Sequence, residues 1–443
     1  MQPPFQPDDT LKLKIEGLAY GGNGVAHPQG FAIFVPRTAP GDEVLVKVIS
    51  MKRRFGRAIP LKIVTPSSYR IEPRCPHFDS CGGCHYQHLD PPFVAQQKVT
   101  LIKECFHRIG QSLVNVRPLI SPTKQWNYRN RLTYHRSITG EAGYISWKDF
   151  KVIDVEECPI STEELNEVWK KIRVVLKQIS PNILPFVVLR RTMQGQSAVI
   201  LSVVEMDDLP QFKEQLKIIL RPLNSNVYFY LSLIPSGSRV ALGKTIVSLL
   251  GPEFMKEQIA GIEYFIRPDL FFQVHPEVTD QIVHNVVAWA KGHKVIRAVD
   301  IYCGAGLFTL ALAKQEIHVL GIDVQYPAIQ CAQTSAKKNS LETFARFRTG
   351  KAERMIERII REGERFDTAL VDPPRKGLHP KLLESLPRLG VNRLLYISCS
   401  PPTLARDARE LQKLGYSIQW VQPYDMFPQT YHVETITFFH RRI

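Results

Sequence analysis

The sequence predicts an α/β protein: a doubly wound, mostly parallel sheet, preceded by a small OB-like β-barrel and a mixed α+β region. Two observations carry this. From about residue 262 strand and helix patterns alternate, which indicates parallel strands joined by crossover helices. Between residues 10 and 65, about five short strands are separated by Gly- and Pro-rich turns, as in a small barrel. The 443-residue length allows about three domains of ~100–200 residues. The expected divisions are 10–66, 67–261 and 262–443, with a helix over 92–110 that can pack on the last.

Taken in order, residues 1–9 read as a disordered lead. Leu11, Leu13 and Ile15 alternate with polar residues, as in a half-buried strand. Gly21-Gly22-Asn23-Gly24 and Pro28-Gln29-Gly30 are turns, and 31–35 and 43–49 are further strands. Lys52-Arg53-Arg54-Phe55-Gly56-Arg57 is a basic loop with an embedded aromatic, suited to phosphates and a stacked base. Residues 66–91 are rich in Pro, Cys, His and Gly and lack periodicity. The stretch Trp126-Asn127-Tyr128-Arg129-Asn130-Arg131-Leu132-Thr133-Tyr134-His135-Arg136 interleaves basic and aromatic residues, again a pattern for single-stranded nucleic acid. Ser161-Thr162-Glu163-Glu164 reads as a capping box opening a helix. Residues 184–250 read as strands with one helix near 209–220.

The formal charge is +15. That excess favours a polyanion, and RNA or DNA over a membrane surface. No apolar run approaches the roughly 18 residues of a bilayer span. The N-terminal segment has neither the basic nor the apolar region of a signal peptide, so a cytoplasmic location is expected. Nothing points to an obligate oligomer, and a monomer is expected. Eight cysteines in such a chain suggest metal binding or catalysis rather than disulfides. Cys75, Cys81 and Cys84 follow C-x5-C-x2-C, and Cys158-Pro159 comes later. Thiolates suit iron–sulfur clusters or zinc. The spacing fits no zinc-finger pattern, and Cys-Pro occurs at iron–sulfur ligands, so a [4Fe–4S] cluster is the reading. Cys105, Cys303 and Cys331 read as small buried hydrophobes.

The chemistry gathers at strand ends. In open parallel sheets, ligands bind beyond the carboxyl ends of the strands. Asp300-Ile301-Tyr302-Cys303-Gly304-Ala305-Gly306 is a glycine turn between strand and helix. Asp323 follows the next strand, near the roughly 20-residue spacing at which an acid holds a ribose. With no third glycine, adenosylmethionine fits better than a dinucleotide. Asp372-Pro373-Pro374-Arg375 and Ser398-Cys399-Ser400-Pro401 each follow a buried-strand pattern. Cys399 then precedes a helix expected over 403–414, whose N-terminus should stabilise a thiolate.

These motifs, with Phe271-Phe272-Gln273-Val274 and the run from Asp425 to Glu434, resemble the RNA uracil-C5 methyltransferase family along essentially the whole chain. The barrel looks like a TRAM domain, and the four cysteines resemble the cluster of the branch that modifies 23S ribosomal RNA. The resemblance implies a class I methyltransferase fold. It also implies Cys399 as nucleophile on uracil C6, Glu434 as general base, and Gln273, Tyr302, Asp323 and Asp372 as adenosylmethionine contacts. The sequence departs from the family pattern at Leu307 (usually Asn), Ser400 (Asn or Asp), His275 (Asn) and Asp323 (Glu). A tRNA T-loop uridine is the second target. An amino-group methyltransferase would leave Cys399 and Glu434 without a role, and an RNA-binding assembly factor would not need them.

Overall fold

The computed structural model describes residues 4–223 and 226–442. The N-terminal strands are β1 (Thr10–Lys14), β2 (Gly17–Leu18), β3 (Gly24–Ala26), β4 (Ala32–Val35), β5 (Glu43–Met51) and β6 (Phe55–Thr65). They form one six-stranded sheet in the order β1-β5-β6-β4-β3-β2. The inward positions Leu13, Ile15, Ile33, Val35, Val44 and Val46 fill its core. Part of the expected glycine turn is strand, because Gly24 pairs with both Leu18 and Val35. The lead is docked rather than disordered over residues 4–9: Asp8 donates its N–H to Val48 (2.9 Å) and pairs with Lys47 (2.8 Å). Residues 1–3 of that expected lead lie outside the described residues.

After α1 (Pro91–Arg108) come β7 (Arg131–Arg136), β8 (Ala142–Ile145), β9 (Val152–Asp154), α2 (Glu163–Leu176), β10 (Phe186–Arg191), β11 (Ser197–Val204), α3 (Leu209–Leu220), β12 (Val227–Ile234) and β13 (Thr245–Leu250). Their strands make a seven-stranded sheet, β13-β12-β11-β10-β7-β8-β9. The apolar stripe of α2, Leu165, Trp169, Ile172 and Leu176, packs on it. Thr162, not Ser161, caps α2, its hydroxyl accepting from Leu165 N–H.

A hairpin of β14 (Met255–Ile259) and β15 (Ile262–Ile266) spans the position where the sequence places its second division. Ile259, Ile262 and Tyr264 join the core of the third sheet. That sheet is built from β16 (Arg297–Ile301), β17 (His318–Asp323), β18 (Ala345–Thr349), β19 (Thr368–Val371), β20 (Arg393–Ser398), β21 (Tyr416–Tyr424) and β22 (Glu434–Arg441). Helix α4 (Pro276–Gly292) leads into β16, and α5 (Leu307–Ala313), α6 (Tyr326–Lys338), α7 (Ala352–Arg361), α8 (Pro380–Arg388) and α9 (Pro401–Lys413) connect its strands. The order is β18-β17-β16-β19-β20-β22-β21, parallel through β20 and closed by an antiparallel pair. β19 is buried at every position, as expected of a parallel strand covered on both faces. On one face, Ile102, Cys105 and Phe106 of α1 share a core with Leu404, Ala405 and Ala408 of α9.

Candidate active site

The antiparallel closure of the sheet assembles the chemistry. β20 ends beside the start of β22, with Ser398 opposite Thr435. The residue after one and the residue before the other therefore meet: Cys399 and Glu434. Thr435 Oγ1 also donates to the Ser398 carbonyl (3.0 Å), fixing the strand end beneath the thiol. Asp372 follows β19, the next strand over, its N–H donating to the Ile301 carbonyl (3.3 Å).

The electrostatics of the thiol differ from the helix-terminus expectation. Burial, then the charges of Glu434 and Asp372, push the Cys399 thiol up to about 11, with Arg375 acting in the opposite direction. A helix N-terminus favours a thiolate, but two carboxyl groups beside a half-buried sulfur outweigh it. Glu434 is 4% exposed, and its Oε1 has no hydrogen-bond partner. Burial and Asp372 hold its carboxyl well above the ordinary range. Arg375 Nη2 lies 3.4 Å from His432 Nε2. Burial and Arg375 lower that imidazole to about 4, so it is neutral at pH 7.

The cofactor side forms at the ends of β16 and β17. Gly306 has φ 85° and caps α5; a Cβ there would stand 3.1 Å from Ala332 and 3.3 Å from the Phe347 ring. At Gly304, φ 53°, a Cβ would meet nothing within 4 Å, so backbone faces open space. Asp323 accepts from Gly304 N–H (3.0 Å) and Gln325 N–H (2.8 Å), which fixes its carboxylate at the strand end. Tyr302 sits at φ 69° between Ile301 and this turn. Asp300 accepts from Thr309 (2.6 Å) through one oxygen, and its other is buried without a partner. An orphaned buried acid oxygen, a glycine opening and two strand-end acids fit a cationic nucleoside such as adenosylmethionine. Gln273 lies in a loop held from behind: Arg190 Nη1 donates to the Leu270 carbonyl (2.9 Å) and Asn130 N–H to the Val274 carbonyl (3.1 Å). Leu307 is packed in the core, and His275 is buried, stacked on Tyr128 with centroids 4.5 Å apart.

Part of the basic and aromatic stretch 126–136, expected to face nucleic acid, is turned inward. Arg136 donates to the carbonyls of Leu176, Ile179 and Leu184, and Arg131 to those of Asp269 and Leu270. Tyr128 and Tyr134 are buried. These side chains serve packing and loop anchoring, and are not displayed to a nucleic acid. By contrast, Lys52, Arg53 and Arg54 are exposed at the β5–β6 hairpin tip.

Cys75, Cys81, Cys84 and Cys158 line one cavity of about 360 Å³. Burial pushes Cys81 up to about 11 and Cys84 to about 12, neighbouring thiols adding to both. Arg37 of the barrel donates to the carbonyls of Cys84 (2.6 Å) and Cys81 (2.7 Å). Among the described residues, no three His, Cys, Asp or Glu side chains converge tightly enough for a metal ion. Cys105, Cys303 and Cys331 are buried free thiols.

The sheet order and the strand-end acids define an adenosylmethionine-dependent methyltransferase of class I. The tRNA (uracil-5-)-methyltransferase family matches residues 94–442, and a TRAM domain matches residues 5–61. The chain belongs to this family of RNA uracil-C5 methyltransferases. An uncharacterized RNA methyltransferase of Halalkalibacterium halodurans is 31% identical over 451 residues, covering 98% of each chain. One of Listeria monocytogenes is 32% identical, again over 98% of each. Among solved structures, the Pyrococcus abyssi tRNA (uracil-54, C5)-methyltransferase in complex with S-adenosyl-L-homocysteine is similar, with TM-score 0.73 and 26% identity, covering 97% of this chain and 100% of that one. No helix among the described residues is long and apolar enough to cross a membrane.

Proposed function

We propose that this enzyme methylates C5 of a uridine in 23S rRNA, with Cys399 as nucleophile and Glu434 as general base. The observation that carries this reading is the pairing of β20 with β22, which sets a thiol and a buried, unpartnered carboxyl group side by side. Cys399 Sγ, having given up its proton to solvent, adds as a thiolate to C6 of an extruded uracil, and the C5–C6 electrons move toward the C4 carbonyl, giving an enolate nucleophilic at C5. Adenosylmethionine, when bound, supplies the methyl group as an electrophilic sulfonium. Glu434 then takes the C5 proton, the C5–C6 double bond re-forms, and Cys399 leaves. Gln273, Tyr302, Gly304, Gly306, Asp323 and Asp372 hold the cofactor.

The four cysteines hold a [4Fe–4S] cluster in this reading. The four thiols line one cavity, and thiolates are the ligands such a cluster would take there. Its role is structural, shaping the surface around Arg37 and the barrel, since the methyl transfer closes without electron exchange. The enzyme acts as a cytoplasmic monomer.

The ribosomal target rests on the resemblance of the barrel and the four cysteines to the branch that modifies 23S rRNA. A T-loop uridine of tRNA is the second reading, supported by the likeness to the archaeal tRNA enzyme. Transfer of labelled methyl to 23S rRNA and to tRNA transcripts, followed by mapping of the modified base, separates the two. Label in 23S rRNA alone is expected, and label in tRNA alone would reject the ribosomal target.

A further inference from the structure

The barrel reaches the candidate active site through one turn. After β2 the chain runs Tyr20-Gly21-Gly22, both glycines at positive φ (108° and 86°). Leu18 anchors it, 5% exposed in a cluster with Tyr86, Leu89, Phe93 and Val94, against which Tyr431 packs. Gly22 lies on His85: a Cβ at Gly22 would stand 3.0 Å from the His85 Cβ. His85 meets Tyr431 with ring centroids 4.7 Å apart. The turn is thereby fixed to the loop that leads into Glu434.

Tyr20 sits at the tip of this turn. Its ring meets Tyr431 edge-on at 5.3 Å and 77°. Ser400, Cys399 and Arg375 are close enough to act electrostatically on its hydroxyl. Some tyrosines here are buried with the hydroxyl on a backbone carbonyl, as Tyr230 is on Pro252 (2.8 Å) and Tyr264 on Leu307 (2.9 Å). Tyr20 is instead half-exposed and shares its surroundings with the thiol. Two rings at right angles form a corner that offers a flat base a face and an edge.

We propose that Tyr20 is a base-positioning residue of the methyl-transfer site, by which the barrel supplies one wall of the pocket that receives the extruded pyrimidine over Cys399. This rests on Cys399 being the nucleophile. The barrel is then part of the active site as well as an RNA grip.

The test uses full-length Tyr20→Leu and Tyr20→Phe with RNA carrying 5-fluorouridine. The readouts are the single-turnover rate of adduct formation on Cys399, adenosylmethionine and RNA affinities, and the melting temperature. Tyr20→Leu is expected to slow the adduct about 10- to 100-fold at saturating RNA, because the stacking wall is lost. RNA affinity should stay within about threefold, since phosphate contacts dominate it. Tyr20→Phe keeps the ring and should stay within about threefold of the parent rate. A folded Tyr20→Leu as fast as the parent would overturn the proposal. So would a joint loss of folding, RNA binding and rate in both variants, which makes Tyr20 a structural contact. No adduct with the unsubstituted enzyme would instead remove the nucleophile assignment, and this inference with it.

Discussion

The Asp372 carboxylate adds to the effect of burial on Glu434, so that the Glu434 carboxyl is held well above the ordinary carboxylate range. Asp372 itself is pushed up to about 7 by burial and by Asp300, and Asp300 likewise to about 7, chiefly by burial. Acids crowded at one water-poor sheet edge resist ionisation until a cation arrives.

A pH dependence follows. These acids have folded pKa values above their unfolded ones, so the folded state holds their protons more tightly. Their contribution to stability is complete below the ordinary value of 3.8 for Asp300 and Asp372 and is lost as pH rises through about 7. Bound adenosylmethionine is positive at sulfur and favours the ionised acids. Its upward shift of the melting temperature should therefore be larger at about pH 8 than at about pH 5. Equal shifts at both would remove the linkage.

Glu434→Gln should block release. With the C5 proton retained, Cys399 cannot leave, and a methylated covalent complex with ordinary uridine should persist on denaturing gels. Turnover is expected to fall by about 10²- to 10⁴-fold, the usual contribution of a general base. Near-normal turnover would place the base elsewhere.

Arg375 lowers the Cys399 thiol. Arg375→Met should raise the thiol further, slow its alkylation at neutral pH and shift the alkylation–pH profile upward. An unchanged profile would show that Arg375 does not act on the sulfur.

Lys98 Nζ on α1 pairs with Asp425 Oδ1 at 2.7 Å, the two side chains 0% and 10% exposed. Lys98→Met leaves a buried carboxylate without its partner, which costs about 3–5 kcal/mol. Lys98→Met with Asp425→Leu should recover most of it. Denaturant titration reads both, and additive losses would contradict the coupling.

The parallel strands were legible because burial on both faces writes them as apolar runs, as in Thr368–Val371. The closing hairpin was not: the alternation of β21 is broken by a register shift near Ile418 and by Pro423. Motif order pointed to Cys399 and Glu434, but only the β20–β22 register shows why residues so far apart in sequence meet. The thiol's environment was misjudged because a sequence displays the helix after Cys399 and not the carboxyl groups folded against it. Arg131 and Arg136 were misread because a basic residue spent on buried carbonyls looks the same in sequence as one facing solvent. Tyr20 gave no signal: a tyrosine before paired glycines reads as a surface turn.

The most direct measurement is the intact mass of the protein after incubation with adenosylmethionine and RNA containing 5-fluorouridine. Fluorine at C5 cannot be removed as a proton, so the reaction should stall as a methylated RNA adduct on Cys399, absent from Cys399→Ala. Folded protein that stays unmodified with both 23S rRNA and tRNA would contradict nucleophilic methyl transfer by Cys399.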